Sequence, residues 1–162
     1  MSNFKLKNFD STAKTFLAFF LFTIQIGIVI GVGYIYYTTS LNPEGTIEHY
    51  NGSEVVEDVI PEEFPKPLEG MILTTHAHVN SFALISLIIG SIFYFNSIIT
   101  NKLKLILMVE PFISTIITFS SIWVMRYLNE SFVYLVMISS LLMYLCWTIM
   151  VIISFYELLF EK

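Results

Sequence analysis

Two imidazoles open a long apolar run, TTHAHVNSFALISLIIG, in which His76 and His78 stand one residue apart. Imidazole ligates heme iron, zinc or copper, and it exchanges protons near neutral pH. Residues two apart on a regular α-helix point about 200° away from each other, so the pair belongs to different helix faces. A single metal ion gripped by both would need an HxxxH spacing. The His76 face continues through Asn80, Ala83, Leu87 and Gly90, which are polar or small. The His78 face continues through Phe82, Ile85 and Ile89, which are bulky. Both stripes suit an interior better than lipid, with His76 and His78 as candidate heme or metal ligands on separate faces and Asn80 beside them. Heme b is favoured over zinc or copper, because no thiolate or carboxylate cluster accompanies the pair. The competing reading is a polar network with Thr74, Thr75, Asn80 and Ser81.

A six-coordinate heme needs a second axial ligand, for which His49, a methionine such as Met137, or a symmetry-related chain are candidates. Arg126 has the forked donors that bind heme propionates; its alternative is an interfacial anchor beside Trp123. Glu110, followed by Pro111, is an ionisable residue in an apolar run, and such residues mark a contact or a proton path. Its plainer reading is a hydrogen bond to Ser or Thr on a neighbouring helix. The single Cys146 excludes a disulfide framework and reads as a buried small side chain. No nucleophile–base pair, phosphate loop or pair of catalytic carboxylates is present, so nothing supports a stand-alone hydrolase.

The elements that must carry these residues follow from hydropathy. The chain has 162 residues, 56% of them hydrophobic, and a mean hydropathy of +0.74. A bilayer core needs roughly 20 apolar residues in a helix. Four stretches qualify: Thr15 to Thr38, Met71 to Asn96, Leu105 to Met125 and Ser131 to Tyr156. The expectation is an all-α integral membrane protein, an up-down-up-down four-helix bundle forming one membrane domain over residues 1–162. Its helices are expected at about 15–38, 71–98, 103–126 and 131–158, joined by one long acidic outer loop at 39–70. The first run is too long for the apolar part of a signal peptide and has no small-x-small site after it, so it reads as an uncleaved span. Gly27, Gly31 and Gly33 in it leave room for close helix packing or a homodimer, and Gln25 calls for a partner inside the bundle.

Lys5, Lys7, Lys14, Lys102, Lys104 and Lys162 fall on one side, against Lys66 and Arg126 on the other. The positive-inside bias then places both termini in the cytoplasm, with His76 and His78 near the outer face. The loop carries Glu44, Glu48, Glu54, Glu57, Asp58, Glu62, Glu63 and Glu69, and Pro61, Pro65 and Pro67 predict an extended run into the second span. Tyr50, Phe64 and Leu68 would pin it to the membrane surface. This acidity and the net charge of −5 predict no nucleic-acid affinity. The plainer reading is a loop that simply translocates, since acidic residues weigh little in topology; the alternative is attraction of a basic soluble cytochrome or a metal cation.

The run HAHVNSFALISLIIG resembles the histidine-bearing helix of heme-copper oxidase subunit I, in which two histidines with this gap bind two hemes from opposite faces. The likeness covers about fifteen residues. An oxidase subunit has more helices and further histidines, whereas this chain adds only His49, so the shared feature is a way of presenting imidazole. The wider order PEGTIEHYNG, FPK, TTHAH, VEPF and WVMRY resembles a group of small four-helix bacterial membrane proteins, which implies a bacterial inner membrane and no particular activity. Two functions follow as expectations. One is a small heme-binding or redox-linked membrane protein; the other is a cofactor-free accessory subunit of a respiratory or other membrane complex, with lipid and neighbouring subunits as its partners. A transporter using Glu110 has less behind it, since no inverted repeat is present.

Overall fold

The computed structural model describes residues 5–53, 60–61 and 63–161. Its four long helices are α1 (Ser11–Thr39), α3 (Leu68–Tyr94), α4 (Asn101–Tyr127) and α5 (Val133–Phe160), with a short α2 (Pro43–Asn51) between the first two. Single 3-10 turns at Leu6–Asn8 and Glu130–Phe132 precede α1 and α5, and there is no strand among the described residues. All four long helices are apolar and long enough to cross a bilayer, and together they form a four-helix membrane bundle.

α5 is the hub: it packs most extensively along α4 and also touches α3 and α1, while α1 reaches the bundle chiefly through α5. A first core gathers Leu21, Ile89, Phe93, Trp147 and Met150; a second, at the α2 end, gathers Met71, Phe119, Met125 and Val136. Between α1 and the α3–α5 pair runs an apolar groove of about 220 Å³, lined by Gly27, Gly31, Phe82, Ile85, Tyr144 and Trp147 among others. Gly31 faces the Tyr144 hydroxyl, and Gly27 and Gly33 touch nothing across the gap. Within the chain, Gly27 and Gly31 therefore line a groove. Gln25 Oε1 is buried without a hydrogen-bond partner.

Local chemistry sets the helix ends. Asp10 caps α1 by accepting from the Thr12 and Ala13 amides at 2.9 and 3.0 Å. α2 was not expected from the prolines further along the loop, yet its own residues encode it. Asn42 accepts from the Gly45 amide at 2.7 Å, Pro43 occupies the first turn with Glu44 beside it, and Gly52 closes the helix. The expected extended run does follow α2: Ser53 N–H donates to Glu63 O at 3.0 Å and Lys66 N–H to Tyr50 O at 3.1 Å. The acidic residues Glu54, Glu57, Asp58 and Glu62 lie outside the described residues.

Gly52 has φ +85, and a Cβ there would lie 2.7 Å from the Pro65 ring. Both facts require glycine. Gly52→Ala is therefore expected to loosen residues 63–67 from α2. Hydrogen exchange would show faster exchange at the Ser53 and Lys66 amides with α4 and α5 unchanged; equal protection in both chains would contradict it.

Candidate functional site

α3 carries His76 about two turns in from the α2 end. His76, Ala77, Asn80, Ser81, Leu84 and Leu87 are exposed and form the helix's outward face, while Ser86, Ile89, Gly90 and Phe93 are buried. The interior placement expected for both stripes thus fails at their histidine ends: along the His76 stripe only Gly90, at the far end, is buried, and His78 is itself exposed. The reason lies in the packing, since α4 and α5 cover the side of α3 that carries Ser86, Ile89 and Phe93. His76 has Asn80 Nδ2 at 3.4 Å from Nδ1 and 3.5 Å from Nε2, contacts too long to hold the ring firmly.

His78 points elsewhere, as the two-residue spacing requires. Its Nδ1 lies 2.8 Å from the Thr74 carbonyl, and its ring meets Phe82 edge-on at 5.3 Å and Phe119 of α4 at 5.7 Å. It sits at the rim of the α3–α4 seam, partly polar network and partly aromatic packing. Trp123 of α4 donates to Thr75 Oγ1 at 2.9 Å, which pins the same turn of α3. No group of three or more His, Cys, Asp or Glu side chains converges among the described residues.

Arg126 lies over the Tyr127 ring at 5.2 Å, and its Nε is buried without a hydrogen-bond partner. Trp123 stacks on Tyr127 at 5.7 Å, so Arg126 joins an aromatic group where α4 ends. Glu110 accepts from the Ser114 hydroxyl of its own helix. The other carboxyl oxygen, Oε2, is buried and unpartnered. Further along the α4–α5 seam, Thr115 donates to Met143 Sδ at 3.2 Å and Thr118 pairs with Ser139 at 2.7 Å. None of these hydrogen bonds joins Glu110 to the histidines.

The most complete polar site centres on Glu157, which composition and motif reading passed over. Glu157 is fully buried near the end of α5. It accepts from Asn96 Nδ2 at 2.5 Å, the Ser97 amide and hydroxyl at 2.7 Å each, and the Lys7 amide at 3.4 Å. Lys104, also buried, donates to the Tyr94 and Asn96 carbonyls at 3.1 and 2.6 Å. Asn96 in turn accepts from the Ile98 and Ile99 amides at 3.0 and 2.9 Å. This turn explains why α3 stops at Tyr94 and not near residue 98. The signal was a lone carboxylate closing an apolar run, opposite an Asn-Ser pair and a lysine.

At the α2 end, Lys66 Nζ lies 2.6 Å from His49 Nε2 and 4.6 Å from the Tyr50 ring centre. Glu63 stands 4.0 Å from His49 Nδ1. Burial, with Lys66 beside it, lowers the His49 pKa below its ordinary 6.5. Burial, with Tyr34 opposite, pushes the Tyr50 phenol up to about 12. His49 is thus engaged by the extended segment, away from the α3 histidines.

Four apolar helices, a capped loop and polar side chains within the spans define a small multi-pass integral membrane protein. Residues 40–162 match a family model described as a transmembrane helical domain, Aq_1264_TM. The chain belongs to that family. The match begins where α1 ends, so it takes in α2 and the α3–α4–α5 core. No curated protein and no solved structure matches the chain.

Proposed function

We propose that this protein is an accessory subunit of a bacterial inner-membrane assembly, docking its partner through the outward face of α3. One observation carries the reading: His76 and Asn80 are exposed, within a membrane span, and held only by each other at 3.4–3.5 Å. Ionisable and amide side chains inside a bilayer normally face protein, because each unmet polar group in hydrocarbon is costly. A second transmembrane surface laid on this face would satisfy them, and Ala77 and Ser81 beside them allow close approach. The lysines of the N-terminal segment and Lys102 support cytoplasmic termini, with α2 outside. Lys104 weighs less, because it is buried and bonded to backbone carbonyls.

The test is a photo-crosslinking side chain at position 80, with one at Ile116, an exposed apolar position on α4, as the lipid-facing control. Position 80 is expected to yield a protein adduct in native membranes and position 116 only lipid. His76→Leu, in the chain that carries the crosslinker at position 80, should sharply reduce the adduct. Lipid adducts alone at both positions would end the reading.

A second reading keeps heme b at this face, with His76 as axial ligand. It is motivated by the loosely held His76 ring, whose nitrogens have no firm partner among the described residues. His78 fits the role less well, being turned into the Phe119 seam. Arg126 would meet a propionate only if the heme reached the end of α4. The second axial ligand would come from the docked surface. When bound, heme would supply one-electron chemistry; the chain itself would orient the imidazole and exclude water. A reduced-minus-oxidised spectrum decides it: a b-type band lost in His76→Ala supports heme, and a featureless spectrum from folded protein grown with ample heme removes it.

A further inference from the structure

Residues 63–67 lie across α2 as a strap. Backbone contacts tie its two ends: the Glu63 amide donates to Ser53 Oγ at 2.9 Å, and the Lys66 amide donates to the Tyr50 carbonyl at 3.1 Å. Between them, among the described residues, the side-chain tie to α2 near charge–charge range is the trio of Lys66, His49 and Glu63. A lysine ammonium has donors and no acceptor, so His49 Nε2 must be the acceptor at 2.6 Å. His49 is then the neutral tautomer with its proton on Nδ1, on the side of Glu63.

We propose that His49 is an acid-sensitive latch: a proton added at its Nε2 displaces the Lys66 ammonium and releases the 63–67 strap from α2. The proton removes the acceptor and sets two cations in contact, a repulsion that Glu63, 4.0 Å from Nδ1, offsets only in part. Among the described residues, the other groups near Lys66 are the face of Tyr50 and the Glu63 carboxylate. Among the described residues, the groups acting on His49 are Lys66 and Glu63 of the strap. On its own helix Tyr50 packs edge-on at 5.0 Å. From the elements packed against α2, Tyr34 of α1 faces Tyr50, Glu130 ahead of α5 holds Asn51 at 2.9 Å, and Arg126 of α4 lies over Tyr127. None of these three acts on the His49 ring.

The direction follows from linkage. Burial and Lys66 depress the folded His49 pKa below 6.5, so the unfolded chain binds the proton more readily. The latch therefore contributes its full stabilisation above about pH 6.5, and loses it as pH falls through the lower folded value.

Hydrogen exchange of the full-length protein in bilayer discs, corrected for intrinsic rates, tests this about one unit above and about two units below the ordinary histidine value. The Ser53 and Lys66 amides are expected to lose protection several-fold at the lower pH, with α4 and α5 amides unchanged. His49→Gln keeps an acceptor that does not titrate, so its strap should stay protected at both pH values. Lys66→Met should leave the strap loose at both, with no pH response. A wild-type strap indifferent to pH, or a pH response retained in either variant, overturns the proposal.

Discussion

Glu157→Ala is expected to destabilise the bundle by about 3 kcal/mol or more, because several buried donors lose a charged acceptor, each at about 1–3 kcal/mol. The carboxylate accepts four hydrogen bonds from two separate segments: the N-terminal turn, through the Lys7 amide, and the α3–α4 connection, through Asn96 and Ser97. Truncation leaves Asn96 Nδ2 and the Ser97 donors without an acceptor. Glu157→Gln should cost less, because one amide oxygen still accepts while the charge is lost. Unfolding in mixed detergent micelles, followed by tryptophan fluorescence, measures both. An alanine variant with a wild-type midpoint would show that the site contributes little.

Trp147→Ala is expected to cost about 3–5 kcal/mol, as for other buried aromatic truncations. Trp147 is fully buried, donates to Ser86 Oγ at 3.0 Å, and packs edge-on against Phe82 at 5.2 Å and Tyr144 at 5.5 Å. In lipid the loss is mainly one of packing, since hydrocarbon solvates an apolar surface well. The indole also lines the α1 groove, so its removal should widen the groove and weaken the hold of α5 on α1. Trp147→Phe retains a ring and loses the Ser86 bond, at about 1 kcal/mol. Loss of helical ellipticity on detergent titration, independent of the missing fluorophore, provides the midpoints. Equal midpoints for alanine and phenylalanine would mean that packing at this site is unimportant.

How far the sequence discloses this arrangement depends on the range of the forces involved. The four spans are legible because length and hydropathy are local properties, and the divergence of His76 and His78 follows from helix geometry alone. Which side of α3 faces lipid was not legible: both stripes read as interior, and only the packing of α4 and α5 decides between them. α2 was legible in Asn42, Pro43 and Gly52 but was masked by the prolines that follow. Glu157 was hidden for a different reason. It closes an apolar run like any interfacial charge, and its partners lie about sixty and one hundred and fifty residues away. Lys104, similarly, counted as a loop charge in the orientation argument, whereas folding buries it against carbonyls.

The hub position of α5 has a consequence for biogenesis. A ribosome delivers the chain from its N-terminus at roughly 5–20 residues per second, so α1, α3 and α4 enter the bilayer before the helix that unites them. Until α5 arrives, α1 lacks its main neighbour, and the Lys7 amide and the Asn96–Ser97 turn lack the carboxylate that joins them. The early helices must therefore wait side by side in lipid until α5 is released to join them. Quality control that recognises unpaired helices would find this protein most vulnerable in that interval.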